Sequence, residues 1–139
     1  MEYDPSVAYG NDNYLVAWQD SRSIVTGPDI YGARVNLSGV VLDTVGIAIS
    51  TFYGYDGFPC VASSGTDFLV AWQDSRSLST APDIYCARVN QSGTVLDPGG
   101  IALSIAPYDQ RYPSVSFDGT NFLVVWQDHR NGNWDIYGS

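Results

Sequence analysis

Acidic, basic and aromatic side chains recur together at three places in this sequence. The tetrapeptide Gln-Asp-Ser-Arg at residues 19–22 reappears at 73–76 and, as Gln-Asp-His-Arg, at 127–130, and an Asp-Ile-Tyr triplet follows each copy. Carboxylates and guanidinium groups at this spacing could contact an anionic ligand, or they could brace a loop through charge-assisted hydrogen bonds. Residues that occur in every repeat usually have a structural role that every repeat needs. We therefore predict a bracing role for them.

A catalytic function would instead depend on residues that differ between the repeats. A glycosidase needs two carboxyl groups about 5 to 9.5 Å apart in unlike environments, and repeated aspartates have equivalent environments. The acids that break the pattern are Asp56 and Asp109, both in stretches typical of exposed turns. Residues 108–112, Tyr-Asp-Gln-Arg-Tyr, supply the residue types that a sialidase uses. We assign no catalytic residue.

Aromatic side chains in the predicted loops give the strongest signal for binding. Tyrosine and tryptophan rings stack on the apolar C–H faces of sugars, while neighbouring polar groups take the hydroxyls. The alternative is that these rings cover the junctions between repeats. The predicted ligand-binding residues are Tyr53, Tyr55, Asp56, Tyr108, Asp109, Arg111, Tyr112 and Trp134.

Metal and cofactor chemistry find no support in the sequence. Aspartate is plentiful, but no calcium-binding loop pattern occurs. His129 stands alone, and a single surface histidine is more often incidental than a ligand. Two cysteines are too few for a disulfide scaffold or a four-ligand zinc site. Cys60 and Cys86 are expected one strand apart, so we predict two free thiols and neither metal nor cofactor.

Charge and composition exclude several classes of partner. The 139 residues carry fourteen Asp and one Glu against six Arg and no Lys, for a net charge of −9, which disfavours nucleic acid. No apolar run has the roughly 18 residues of a membrane span, and the opening residues lack the features of a signal peptide. We expect a soluble chain and assign no compartment. Abundant Gly, Tyr and Asp favour an all-β fold.

The elements that carry these residues repeat with a period of 54. Pro5, Pro59 and Pro113 keep this period, and the match covers nearly the whole chain. A period of this length is typical of repeat architectures. We predict a single propeller-repeat domain, 1–139, with repeats at approximately 5–58, 59–112 and an incomplete 113–139.

Each repeat divides into four strand-sized pieces. In the first repeat these are residues 5–9, 14–18, 29–36 and a stretch from 40 to about 50 that is interrupted near Gly46. The second piece is apolar on both faces, so both faces must be covered. Sheets stacked between similar sheets provide that cover. The pattern predicts an all-β fold of β-propeller blades, each with four antiparallel strands.

The motif sequence also resembles a known family. Trp-Gln-Asp-x-Arg followed by Asp-Ile-Tyr is similar to blades of bacterial sialidase-like propellers and to the repeats of large bacterial cell-surface proteins. The sialidase Asp-box, Ser-x-Asp-x-Gly-x-Thr-Trp, would fall where this chain has residues 36–39 and 90–93, Asn-Leu-Ser-Gly and Asn-Gln-Ser-Gly. The resemblance therefore implies blade architecture and does not extend to sialidase activity.

The number of repeats has a consequence for assembly and function. The chain holds about 2.6 blades, whereas propeller rings use about four to eight. We therefore expect oligomerisation to complete the ring, as a homodimer with six blades; the alternatives are a ring of another number of chains, or a piece of a longer gene that packs in another way. The role we predict is non-catalytic binding of a glycan or peptide on the loop face. A sialidase-like glycosidase and an assembly module with no small ligand are the two alternatives.

Overall fold

Three antiparallel sheets make up the computed structural model, which describes residues 1–77 and 81–139. The first sheet contains β1 (Glu2–Tyr9), β2 (Asn13–Asp20), β3 (Asp29–Asn36) and β4 (Ile47–Ser50). The second contains β5 (Asp56–Ser63), β6 (Asp67–Asp74), β7 (Asp83–Asn90) and β8 (Ile101–Ser104). The third contains β9 (Gln110–Phe117), β10 (Phe122–Asp128) and β11 (Asp135–Gly138).

Within each sheet, every strand pairs with the next strand along the chain. The described residues contain no helix, and accordingly none that could cross a membrane. This up-and-down order is that of a propeller blade, so the prediction of an all-β fold built from blades is confirmed. β1, β5 and β9 lie side by side as the inner strands of the three sheets.

Two predicted strand boundaries were wrong. β1 begins at Glu2 rather than at residue 5, because its pairing with β2 continues beyond a β-bulge. β4 spans only Ile47–Ser50, and the preceding stretch forms a loop with one isolated bridge between Val35 and Val41. The carboxylate of Asp43 replaces the strand ladder there, accepting hydrogen bonds from the Arg34 backbone N–H and guanidinium.

The bulge recurs at the same point of every inner strand. Asp4, Phe58 and Tyr112 have φ angles of 50°, 53° and 54°, and each precedes one of the repeated prolines. Left-handed backbone is uncommon for residues other than glycine. The strand register shifts at these same points in all three sheets. The inner strands therefore bend alike, and residues N-terminal to the bulge reach the loop end of the molecule.

The middle sheet is covered on both faces, as the apolar pattern of its second strand predicts. Phe68, Val70 and Trp72 pack into one hydrophobic cluster with the first sheet. Leu69 and Ala71 pack into a second cluster with the third sheet. The core thus consists of the two junctions between neighbouring sheets.

Both cysteines are free, as predicted. Cys60 on β5 and Cys86 on β7 lie opposite Ala71 from its two sides, so a whole strand separates them. Burial raises the pKa of Cys60 to about 12 and that of Cys86 to about 11. Because the thiolate is the reactive form, the raised pKa values reduce the reactivity of both thiols at neutral pH.

Candidate functional site

The repeated charged motif folds into a set of contacts that we call the clamp, made in the middle sheet by Trp72, Asp74, Arg76 and Tyr85. The indole Nε1 of Trp72 donates to Asp74 Oδ2 at 3.0 Å, and Arg76 Nη2 donates to the same oxygen at 2.6 Å. The guanidinium lies over the Tyr85 ring, 3.9 Å from its centroid. It also donates to the carbonyl oxygen of Gly99 at 2.7 Å. The clamp thereby joins β6 and β7 to the loop before β8.

The other two sheets form the same clamp. In the first, Trp18 Nε1 donates to Asp20 Oδ2 at 2.9 Å, and Arg22 Nη2 lies 2.5 Å from that oxygen. This hydrogen bond from Arg22 lowers the pKa of Asp20 to about 2. In the third sheet, the distances from Asp128 to Trp126 and Arg130 are 2.9 and 2.5 Å. In each sheet, the Asp and Arg side chains of the repeated tetrapeptide therefore bond to each other, as the bracing interpretation predicts.

Backbone hydrogen bonds gather the predicted loops at one end of the molecule. The Gly54 N–H donates to the Thr26 carbonyl oxygen at 2.9 Å, which joins the loop before β5 to the loop after β2. The His129 N–H donates to the Asp109 carbonyl oxygen, also at 2.9 Å, which joins the loop before β9 to the loop after β10. These loops can therefore contribute side chains to a common surface.

Five side chains that break the repeat converge at this end beside the third sheet. The Tyr108 ring meets the His129 ring edge-on with centroids 6.2 Å apart, and the His129 and Trp134 centroids are 5.0 Å apart. The Arg111 guanidinium lies 5.7 Å from the Trp134 ring centroid and is ion-paired with Asp109. We call this group the divergent cluster; it consists of Tyr108, Asp109, Arg111, His129 and Trp134.

The backbone of Tyr108 is held in an unusual conformation. Its φ angle is 66°, in the left-handed region, where the preceding repeat places Gly54 with φ of 136°. Behind it, the buried amide of Gln110 donates to the carbonyl oxygens of Ala106 at 3.0 Å and Tyr108 at 2.6 Å. These hydrogen bonds hold a tyrosine ring outward where the repeat uses glycine.

A second aromatic group lies near the inner strands. The rings of Phe58 and Tyr112 meet edge to face with centroids 4.8 Å apart, and those of Tyr55 and Phe58 are 6.4 Å apart. The Tyr55 hydroxyl donates to Gln19 Oε1 at 2.9 Å across the first junction between sheets. Tyr55 and Tyr112 therefore share a surface, but this surface spans a sheet junction.

Tyr53 lies apart from both groups. Its ring lines a groove of about 350 Å³ on the first sheet's loop. The other residues lining that groove are Ile24, Val25, Thr26, Gly27 and Gly54. The structure thus divides the predicted tyrosines among three places.

Asp56 is not in an exposed turn, and that expectation was wrong. It begins β5, is fully buried, and lies opposite Asp74, which in turn lies opposite Asp83. Ser50 Oγ donates to its Oδ2 at 2.6 Å. Burial, together with the nearby charge of Asp74, raises the pKa of Asp56 to about 8. The structure therefore buries this carboxyl beside Ser50 of the first sheet, away from the exposed side chains of the divergent cluster.

Two members of the site region were missed from the sequence. His129 was interpreted as incidental, yet it lies between the rings of Tyr108 and Trp134. Gln110 was given no role, yet it anchors the Tyr108 loop. His129 stands where the other copies have Ser21 and Ser75, and the amide Gln110 stands where they have the acids Glu2 and Asp56. Departure from the repeat is the signal that could have identified both.

The clamp carboxylates do not form a metal centre. Within residues 1–77 and 81–139, no group of three or more His, Cys, Asp and Glu side chains is arranged to hold a metal ion. The carboxylates of the clamps are instead occupied by arginine and tryptophan donors.

Comparison with known proteins places the chain among propeller-type folds. No family model matches the sequence, and no curated protein matches it. Among solved structures, it is similar to the crystal structure of an alpha-L-arabinofuranosidase from Lactobacillus brevis, with a TM-score of 0.60 and 15% identity. The match covers 99% of this chain and 51% of that chain, so the chain spans about half of its neighbour's length. At this identity the likeness establishes the fold alone.

Proposed function

We propose that this chain is a non-catalytic carbohydrate-binding module and that the divergent cluster is its binding site. The observation that carries the proposal is the convergence of non-repeated residues: Tyr108 from the loop before β9 meets His129 and Trp134 from the loop between β10 and β11, and the three form one continuous row of rings. The repeat does not require these residues for folding, because the other two copies fold without them. A function specific to this surface accounts for their presence together.

The chemistry of the cluster suits a sugar. The Tyr108 and Trp134 side chains are exposed, so their ring faces can stack on the C–H face of a pyranose or furanose ring. Arg111 and Asp109 lie beside them and can donate to and accept from hydroxyl groups. Because Gln110 fixes the loop backbone, little conformational entropy is lost on binding. The structural neighbour is an arabinofuranosidase, an enzyme of carbohydrate chemistry, which agrees with this ligand class.

Binding is favoured over hydrolysis by the position of the acids. A glycosidase needs a carboxylic acid with a raised pKa that touches the substrate. Asp56 has the raised pKa but is fully buried. Asp109 is accessible from the cluster but its carboxylate is engaged in an ion pair with Arg111. A sialidase-like mechanism would need a carboxylate base at Tyr108, whose ring instead contacts His129.

A glycan array tests the proposal, using neutral pentose and hexose oligosaccharides together with sialylated glycans. We expect the wild-type chain to bind a subset of these, and we expect Tyr108→Ala and Trp134→Ala each to weaken binding at least about tenfold, as for anchor residues at other interfaces. Tyr53→Ala is the matched control, because Tyr53 and Tyr108 are loop tyrosines with similar exposed fractions of 63% and 62%. It should bind normally.

The same set of variants distinguishes the alternatives. Equal loss in the Tyr53 and Tyr108 variants would place the site elsewhere on the loop face. Release of 4-nitrophenol from 4-nitrophenyl α-L-arabinofuranoside by the wild type, lost in Asp109→Asn, would favour a glycosidase. No binding to any glycan on the array would refute the carbohydrate assignment.

A further inference from the structure

Two apolar sheet faces at opposite sides of the described structure have no covering sheet. The front face lies on the first sheet and carries Tyr14, Val16 and Trp18. The back face lies on the third sheet and carries Leu123, Val125 and Ile136. The equivalent faces of the middle sheet are buried against the neighbouring sheets. The chain itself therefore shows what covers a face of this kind.

The front face corresponds to the most deeply buried face of the middle sheet. Tyr14, Val16 and Trp18 stand 54 residues before Phe68, Val70 and Trp72, which are completely buried against the first sheet. On the front face itself, two grooves of about 340 and 280 Å³ are both lined by Val16 and Trp18. On the corresponding face of the middle sheet, this space is filled by four residues of the first sheet: Leu15, Ala17, Ile30 and Ile49.

The back face carries the residue types that fill that space. Leu123 stands at the repeat position of Leu15 and Leu69, and Ile136 follows its Asp as Ile30 and Ile84 follow theirs. Those four counterparts are buried, whereas Leu123 is 55% exposed and Ile136 is 72% exposed. The back face therefore carries the kind of apolar side chains that cover the front face of the middle sheet.

We propose that a second copy of this chain covers both faces, with the front face of each copy packed head to tail on the back face of the other. The two junctions inside the chain already join front to back with these same residue positions. A heterologous contact of this kind closes into a ring when its rotation permits. Two copies bring together six sheets, within the range of about four to eight blades that propeller rings use.

Light scattering coupled to gel filtration, at micromolar concentration, measures the predicted assembly. We expect the wild-type chain to elute at about 30 kDa, twice its chain mass of 15.1 kDa. Val16→Asp and Leu123→Asp should each convert it to a folded monomer. Leu37→Asp is the matched control, because Leu37 is 64% exposed in the turn after β3 and lies on neither face; this variant should keep the wild-type mass.

Mixing the two face variants tests the head-to-tail order. A Val16→Asp chain retains a normal back face, and a Leu123→Asp chain retains a normal front face, so an equimolar mixture can form one intact junction and should regain dimer. A front-to-front contact would instead leave Leu123→Asp dimeric by itself, which would overturn the head-to-tail order. A wild-type monomer, or a wild-type oligomer insensitive to both substitutions, would overturn the proposal altogether. Because Leu123 is already exposed within one chain, its variant decides the outcome even if Val16→Asp fails to fold.

Discussion

The clamp and the divergent cluster are built from the same residue types but differ in burial and in number. Each combines an aspartate, an arginine and aromatic rings, with an ion pair beside a guanidinium–ring contact. In the clamp of the middle sheet, Trp72 and Asp74 are fully buried, and the same arrangement occurs in all three sheets. In the divergent cluster, Tyr108 and Trp134 are exposed, and the arrangement occurs once among the described residues.

This difference shows that residues of the same type can have different roles in one repeat protein. A buried pair of opposite charges contributes to stability only when every polar group has a partner, and the clamp supplies those partners. An exposed pair contributes little to stability but remains available to a ligand. Substitutions should therefore affect folding in the clamp and recognition in the divergent cluster.

Replacement of Trp72 by alanine should produce the largest loss of stability. It leaves a large cavity between the first and middle sheets and removes one donor to Asp74, so we expect a loss of about 3 to 5 kcal/mol in the free energy of unfolding. Trp134→Ala is the control, with an expected change below about 0.5 kcal/mol. Urea denaturation followed by circular dichroism measures both. Similar losses for the two tryptophans would contradict the distinction between the two regions.

Asp74→Asn should have the next largest effect, and Asp20→Asn a smaller one. Asp74 is fully buried, and its partner Arg76 is only 18% exposed, so loss of the charge leaves a poorly solvated guanidinium. We expect a loss of about 2 to 3 kcal/mol. In the first sheet Arg22 is more exposed, and solvent screening reduces the expected loss to about 1 kcal/mol. Denaturation midpoints of the two variants compare them directly; a larger loss for Asp20→Asn would contradict this order.

The buried carboxyl of Asp56 should make stability fall as the pH rises. Its folded pKa of about 8 lies above the unfolded value of about 3.9, so between these values the folded state binds more protons than the unfolded state. The stabilisation from its protonated form is therefore complete below the unfolded pKa and is lost as the pH rises through the folded pKa. Asp56→Asn should flatten this dependence, because the third sheet already has an amide, Gln110, at the same repeat position.

Denaturation at pH 5 and pH 8 measures the effect, with ~3 pH units spanning most of the window given by the two pKa values. We expect the wild-type chain to lose more stability than Asp56→Asn over this interval. An identical pH dependence in both proteins would mean that Asp56 is ionised in the folded state.

The smallest predicted effect distinguishes backbone strain from glycan binding at a single residue, Tyr108. Tyr108 has left-handed backbone geometry, so Tyr108→Gly should be more stable than Tyr108→Ala by about 1 kcal/mol. Both variants should lose glycan binding to the same extent, because both lack the ring. Thermal melts together with the glycan array provide the two measurements. Equal stability of the two variants would show that the backbone at this residue is not strained.

The sequence predicted strand positions best where apolar periodicity and turn residues agree. β3 runs from Asp29 to Asn36 as predicted, since its boundaries coincide with an acidic turn and with the Asn36 turn. β4 was predicted too long, because periodicity alone does not reveal that Arg34 and Asp43 form a side-chain contact in place of a strand ladder. The start of β1 was missed because pairing resumes after the left-handed residue Asp4.

The site was harder to predict, because its members come together only through tertiary structure. Tyr108, Arg111 and Trp134 are predicted ligand-binding residues because they are aromatic or charged residues in loops, and the structure brings them into one cluster. Tyr53 is a predicted ligand-binding residue for the same reason, but it lines a separate groove. Asp56 is the first residue of β5, and only the register of that strand with β6 shows that its side chain is buried.

The front-to-back packing of neighbouring sheets also bears on how such a protein can evolve. Both internal junctions join equivalent surfaces of successive copies, so tandem duplication of the 54-residue unit creates a further junction without any compensating substitution. Gene duplication can therefore add whole sheets to the stack. The loops of any one unit are then free to diverge, because the clamps that hold the other units do not depend on them.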